Sequence, residues 1–303
     1  MPPIDRRRIL IGGAAAGAAA LALGATDTAA ADSRRRHRGR GLQVMSYNIR
    51  QDTGQTQPGE DDYWPEREPV LIKLLRQEEP GLLGVQEAQF NQLASIEEAL
   101  PDHRMIGYGR QGGSKDEYSA IFYDAQRFSV LEWDQFWLSD TPDLIGSTSW
   151  GNSVTRVVVW ARLQDRRSRD EFIMINTHFD HQSEPARIRS AEAIIELAGE
   201  FDDLPVILTG DFNTPASQDS GSYRTLVVDG PFQDSWNEAK RRLSPEYGTF
   251  LGYEEPVVGN DRIDWVLTDH TITVEKAKIN IYSRGGRFAS DHAPVQAWLT
   301  FSE

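Results

Sequence analysis

The chain contains no cysteine. Disulfides and thiolate metal sites are therefore excluded, and any bound metal must rely on oxygen or imidazole ligands, which makes hard cations the default. Net basic charge is also lacking: the formal charge is −14, and setting aside residues 1–31, with three arginines and two aspartates, leaves about −15. A surface of that sign repels a long nucleic-acid duplex, because non-specific binding comes largely from Lys and Arg neutralising phosphates. Internal repeats and low-complexity tracts are missing after residue 42, and no composition shift divides the rest of the 303 residues, so one core is expected.

The N-terminus carries the chain's targeting signal. Arg6, Arg7 and Arg8 precede an Ala/Gly/Leu run over residues 9–23, and Ala29–Ala31 offer a small-residue cleavage site. The paired arginines followed by Ile9 and Leu10 resemble a twin-arginine signal, so residues 1–31 are expected to direct export, leaving a secreted or cell-envelope protein. A membrane anchor is the alternative, but the run falls short of the ~20 apolar residues that a span needs, so stable membrane insertion is not expected. Residues 32–41 hold the one strongly basic stretch, read as a flexible linker or as a polyanion-binding arm. The catalytic domain would then cover residues 42–303.

Hydrophobic periodicity in that domain alternates between period two and 3.6. Strands are predicted at residues 43–49, 82–86, 104–108, 118–123, 128–136, 156–163, 171–178, 206–209, 262–268, 272–282 and 293–301, and helices at 64–77, 89–100 and 185–197. Many short strands with few helices suit an α/β fold with two packed sheets and helices outside better than a barrel of regular βα repeats.

Polar clusters follow these strands. Glu87 comes directly after the apolar run at 82–86, at a sheet rim, where with Asn48 it could hold magnesium, which needs only one or two protein carboxylates. Asp211 and Asn213, two apart, would point the same way if extended and could share one water or phosphoryl oxygen; an Asx turn at Asn213-Thr214-Pro215 is the structural alternative. Asp264 could fix one nitrogen of His292 and favour the protonated ring, although Asp291-His292 also reads as a structural salt link. His178 ends a strand and could bond phosphate with help from Asn176; a zinc site from His178, Asp180 and His181 lacks a recognisable spacing. The glycine-rich residues 107–115 lack the spacing of a phosphate-cradling loop and read as a surface loop, and residues 217–222 read as a turn.

Taken in order, Ser46-Tyr47-Asn48-Ile49, Gln86-Glu87, Asn176-Thr177-His178, Gly210-Asp211-Phe212-Asn213, Ile263-Asp264-Trp265-Val266 and Ser290-Asp291-His292-Ala293 resemble the endonuclease/exonuclease/phosphatase superfamily from residue 42 onward. That superfamily includes deoxyribonuclease-type nucleases, deadenylases, inositol-polyphosphate phosphatases and bacterial sphingomyelinases. The resemblance implies a four-layer α/β-sandwich, two packed mixed β-sheets flanked by helices, and phosphoester hydrolysis with Mg2+ or Mn2+. By motif position Asn48 and Glu87 would hold the metal, with Asp291 a further contact. Asp211 would handle the proton of the water or leaving group, Asn213 and His178 would bind phosphate, and Asp264 would orient His292.

Further segments, including Glu117-Tyr118-Ser119-Ala120 and Tyr63-Trp64-Pro65-Glu66-Arg67, resemble a bacterial subgroup loosely akin to the deadenylase branch. Arg156 is placed near the pocket for substrate binding, against a structural link to an acidic neighbour; Trp137 and Trp150 either cover a substrate or pack in the core. The expected substrate is a small, lipid- or sugar-linked phosphoester, with no obligate protein partner. Nucleic acid is the rival substrate, favoured by the arginine-rich arm, and a non-catalytic binding protein the third reading.

Overall fold

Side-chain alternation along the strands sets the layers. The structure, a computed structural model, describes residues 41–301, so the segment expected to direct export and all but the last residue of the expected basic linker lie outside the described residues. In β1 (Leu42–Asn48), Leu42 and Val44 point toward a second sheet, while Met45 and Tyr47 point toward helices. The first sheet joins β1 to β2 (Leu82–Gln86), β3 (His103–Ile106), β4 (Ile121–Asp124), β10 (Arg241–Arg242), β12 (Ile272–Ile279) and β15 (Val295–Phe301), in the order β10-β12-β15-β1-β2-β4-β3. The second holds β5 (Phe128–Trp137), β6 (Val157–Asp165), β7 (Glu171–His178), β8 (Val206–Asp211), β9 (Phe232–Asp234) and β11 (Asp264–Asp269), in the order β5-β6-β7-β8-β11-β9. A small hairpin, β13 (Ser283–Arg284) with β14 (Arg287–Phe288), stands apart.

Helices α1 (Trp64–Glu78) and α2 (Phe90–Ala99) cover the outer face of the first sheet, and α3 (Glu184–Gly199) covers that of the second. Leu71, Leu74 and Leu75 of α1 fall at helical spacing and are essentially fully buried, a burial that stabilises by about 1.5–3 kcal/mol per side chain. The two sheets and two helical layers form the α/β-sandwich expected from the sequence. Both mixed sheets contain one parallel pair joined through a helix: β1 with β2 across α1, and β7 with β8 across α3. Such crossovers bring the C-terminal ends of paired strands to one edge, where an open α/β sheet places its ligands.

Between the sheets the core is apolar until the last turn of strand before the rim. There Asn176 accepts from Gln86 Nε2 (2.7 Å) and Thr209 Oγ1 (2.9 Å) and donates to the carbonyls of Val85 (2.8 Å) and Ala120 (3.1 Å), which ties the sheets together. Gly84 makes this approach possible, because a Cβ there would lie 2.2 Å from Thr209 Oγ1 and 2.5 Å from Asn176 Oδ1.

Candidate active site

Strand register assembles the site. Asn48 lies opposite Gln86 in the parallel β1–β2 pair, so Glu87 follows one step beyond it; His178 lies opposite Asp211 in β7–β8, and Asp264 opposite Asp211 in the antiparallel β8–β11 pair. The backbone turns sharply past these ends, with left-handed φ at Arg50 (56°), Glu87 (61°) and Asn213 (51°), a conformation uncommon outside glycine. Asp211 and Asn213 are therefore not extended, as the sequence pattern suggested. Asp211 Oδ1 accepts the Asn213 N–H at 2.9 Å in an Asx-type turn, and that turn swings Asn213 Nδ2 to 2.9 Å from His178 Nε2. The turn is built on Asp211, not at Asn213-Thr214-Pro215 as the structural alternative had it.

Asn48 is the hub. Its Nδ2 donates to Glu87 Oε1 (3.0 Å) and Asp211 Oδ2 (2.9 Å) and lies 3.5 Å from His292 Nε2. His292 Nδ1 meets Asp264 Oδ2 at 2.9 Å, and the same Asp211 oxygen stands 3.8 Å from His292 Nε2 and 3.5 Å from His178 Nε2. Ser290 Oγ donates to the Asn48 carbonyl and accepts the His292 N–H, clasping this segment to β1. Thr249 Oγ1 accepts the N–H groups of Ile263 and Asp264, and Phe250, 54% exposed, sets its ring edge-on to His292 with centroids 5.1 Å apart.

Burial and charge drive the titratable groups apart. Burial opposes protonation of His292, but Asp264 and then Asp211 outweigh it and lift the imidazole to about 10, so it is a cation at neutral pH. Burial, reinforced by Arg156 and Arg110, holds the His178 ring neutral and well below its ordinary value, with its Nε2 2.9 Å from the Asn213 amide nitrogen. Burial, with Asp264 adding to it, pushes Asp211 up to about 7. Glu87 stays below the ordinary carboxylate value despite burial, because the Asn48 amide, His292 and Arg50 stabilise its charge.

The profile of the Endonuclease/Exonuclease/phosphatase family matches residues 45–292. The chain belongs to this family. Among solved structures it is 32% identical to an endonuclease/exonuclease/phosphatase family protein from Bacteroides thetaiotaomicron (TM-score 0.80, covering 87% of this chain and 98% of that one). It is 34% identical to a mannosyl-6-phosphatase of the same organism (TM-score 0.79, 86% and 100% covered). "Protein angel" of Drosophila melanogaster is 27% identical over 260 residues, 80% of this chain and 70% of that protein. The human Nocturnin catalytic domain shares the fold alone, at 16% identity and a TM-score of 0.65.

The donors present could hold a divalent cation. Glu87, His178 and Asp211 each bring a ligand atom within 4.8 Å of the others, as do Asp211, Asp264 and His292. Burial and the neighbouring Glu87 raise Asp291, against the cationic His292, so two carboxylates stand together with His292 and the Arg50 guanidinium, 3.6 Å from Glu87 and 3.9 Å from Asp291, as counter-charges. The carboxylates suit magnesium- or manganese-type ions, whereas the imidazoles also suit zinc or iron. Asn48 Oδ1 accepts the Arg50 N–H at 3.0 Å, and its amide nitrogen faces the acids.

Two further placements stand out. Asn176, expected to help bind substrate, is fully buried between the sheets with both amide atoms engaged by the chain. Arg156, read from the sequence as either near the pocket or linked to an acidic neighbour, lies beside His178 in a cleft also lined by Arg110, Glu117, Ser119 and Thr155, with Asp180 3.9 Å from its Nε. Sequence reasoning missed Arg50, Arg67 and Arg110. Arg67, fully buried, donates to the carbonyls of Ile49, Arg50, Gln51, Asp62 and Ala289 and so fastens the loop after β1 to the segment before His292. Its signal was an arginine between apolar helical positions. Arg110 sits within the glycine-rich stretch read as a surface loop; that loop is pinned by Gly109 N to Gly113 O (2.8 Å) and Arg110 N to Glu117 O (2.9 Å). Trp137 packs in the core, its indole N–H on the Arg110 carbonyl, whereas the Trp150 indole bonds Asp140.

Proposed function

We propose that this family member is a Mg2+- or Mn2+-dependent hydrolase of a small, lipid- or sugar-linked phosphoester, attacked in line by water. The observation that carries the reading is the single cluster in which Asn48 joins Glu87 to Asp211 between a cationic and a neutral imidazole. A divalent ion held by Glu87 and Asp291 would supply Lewis-acid polarisation and orient the substrate. Asp211, oriented by Asn48 and by the Asn213 N–H, takes the proton of the attacking water. His292, kept charged by Asp264, offsets negative charge growing on the phosphoryl oxygens, and the Asn213 amide and His178 hold the opposite side. The acidity of the chain and its likeness to a mannosyl-6-phosphatase favour a small substrate over nucleic acid. No described helix is long and apolar enough to cross a membrane; export through the twin-arginine route is part of the proposal and rests on residues 1–31.

The test is phosphate or alcohol release by purified protein with Mg2+ from hexose phosphates, bis-(p-nitrophenyl) phosphate, phospholipids, plasmid and single-stranded RNA, with His292→Ala as control. Cleavage of small or lipid esters that the variant loses supports the reading. Cleavage of nucleic acid alone rejects it in favour of a nuclease, and inactivity on every ester in favour of a binding protein.

A further inference from the structure

We infer that Arg110, Glu117 and Arg156 form a subsite for the hydroxyl groups of a polyhydroxylated, sugar-type leaving group, an inference that rests on the hydrolase reading above. Arg156 is only 5% exposed, and its Nε has no hydrogen-bond partner; the nearest carboxylate, Asp180, is 3.9 Å away, and its guanidinium instead meets His181 Nδ1 at 3.2 Å. A buried guanidinium with an unused donor beside a reaction centre calls for an acceptor from outside the chain. Glu117, 7% exposed, takes the Arg110 guanidinium at 2.7 Å and offers the cleft a carboxylate acceptor.

The chemistry of the lining separates ligand classes. A hydroxyl both donates and accepts, and this wall sets donors (Arg110, Arg156) beside an acceptor (Glu117) and the Ser119 hydroxyl, with Val157 as its one apolar member; the Thr155 hydroxyl is taken by Gln111 and the Gly146 carbonyl. A nucleobase needs an aromatic face to stack on and an acyl chain an apolar trough, and the cleft presents neither. Position fits the same assignment: His178 lines the cleft while its Nε2 lies 3.5 Å from Asp211. A group in the cleft is therefore one side chain away from the phosphoryl position.

Steady-state kinetics of wild type, Glu117→Gln and Arg156→Lys on mannose 6-phosphate and on p-nitrophenyl phosphate decide the matter, with melting temperatures to establish folding. Each variant removes a charge-assisted hydrogen bond or its geometry, so kcat/KM for the sugar phosphate should fall about ten- to a hundred-fold further than that for the aryl phosphate. Equal losses on both substrates in folded variants overturn the inference, since the cluster would then serve the phosphoryl group or the fold. The absence of any loss overturns it as well. Should wild type hydrolyse no ester, calorimetric titration with mannose 6-phosphate still decides: binding that the variants lose sustains the subsite while the hydrolase reading fails, and no binding ends both.

Discussion

Replacing Asp264 by asparagine tests the electrostatic core of the site. The amide is isosteric and can still accept from His292 Nδ1, now 2.9 Å from a carboxylate oxygen, so geometry survives while one charge is lost. A unit charge about 4 Å away at an effective dielectric near 20 is worth about 4 kcal/mol, or about 3 pH units at 1.36 kcal/mol each. The imidazole, held near 10 in the parent, should then titrate at about 7. At pH 8.5 the charged fraction drops from nearly all to about 3%, a loss of about thirty-fold if catalysis needs the cation, whereas at pH 6 both proteins are protonated and the difference shrinks to less than about two-fold. The sign follows from the direction of the shift: a raised histidine is charged below its folded value and loses its contribution as pH rises through it. The assay is kcat/KM for a phosphoester from pH 6 to 10, with the His292 ring titrated by NMR in both proteins. A variant-to-parent ratio that stays flat across pH would refute the cationic role.

Three further outcomes are expected. Arg67→Met strands several buried carbonyls that now receive its guanidinium, and at about 1–3 kcal/mol for each buried group left unsatisfied the melting temperature should fall by roughly 10 °C, at about 2–4 °C per kcal/mol; unchanged melting by calorimetry would show that those carbonyls find other partners. Gly84→Ala drives a methyl into Asn176 and Thr209 and should cost about 1–3 kcal/mol through overpacking, read in urea unfolding, with a neutral result contradicting the close approach of the sheets. Chelation should abolish hydrolysis and Mg2+ or Mn2+ restore it, with Glu87→Gln needing more metal for half-activation; full activity in excess chelator would remove the metal from the proposal.

The residues legible in the sequence were those announced by an apolar strand ending in a polar group. Asn48, Glu87, His178 and Asp211 each follow such a run, and the parallel pairs place them together because crossover helices return the chain in the same direction. Asn176 was misread because it shares a strand face with His178, but two residues earlier means about 6.6 Å deeper at ~3.3 Å per residue, which is the difference between the rim and the inter-sheet layer. Arg67 and Arg110 carried no comparable signal. Their partners are backbone carbonyls or acids in connections without periodicity, and β9, β10 and the β13–β14 hairpin were invisible for the same reason: two- or three-residue strands leave no alternation to read.

The inward faces of the strands also explain why the charges behave as they do. Read toward the rim, β1 presents Leu42, Val44, Ser46 and Asn48; β7 presents Phe172, Met174, Asn176 and His178; β8 presents Ile207, Thr209 and Asp211. Each passes from large apolar to small or neutral polar to reacting group. The neutral layer, closed by the Gln86–Asn176–Thr209 hydrogen bonds, keeps water from beneath the acids, so Asp211 and His292 rest on a dry floor where burial and paired charge act at full strength. Apolar residues in that middle layer would leave the Asn176 and Gln86 amides without partners, and ionised ones would place unpaired charge in the core. Neutral side chains joined by hydrogen bonds reduce both costs, although the buried Gln86 Oε1 keeps no partner among the described residues, and this is why the polar motif residues begin one layer below the ones that do the chemistry.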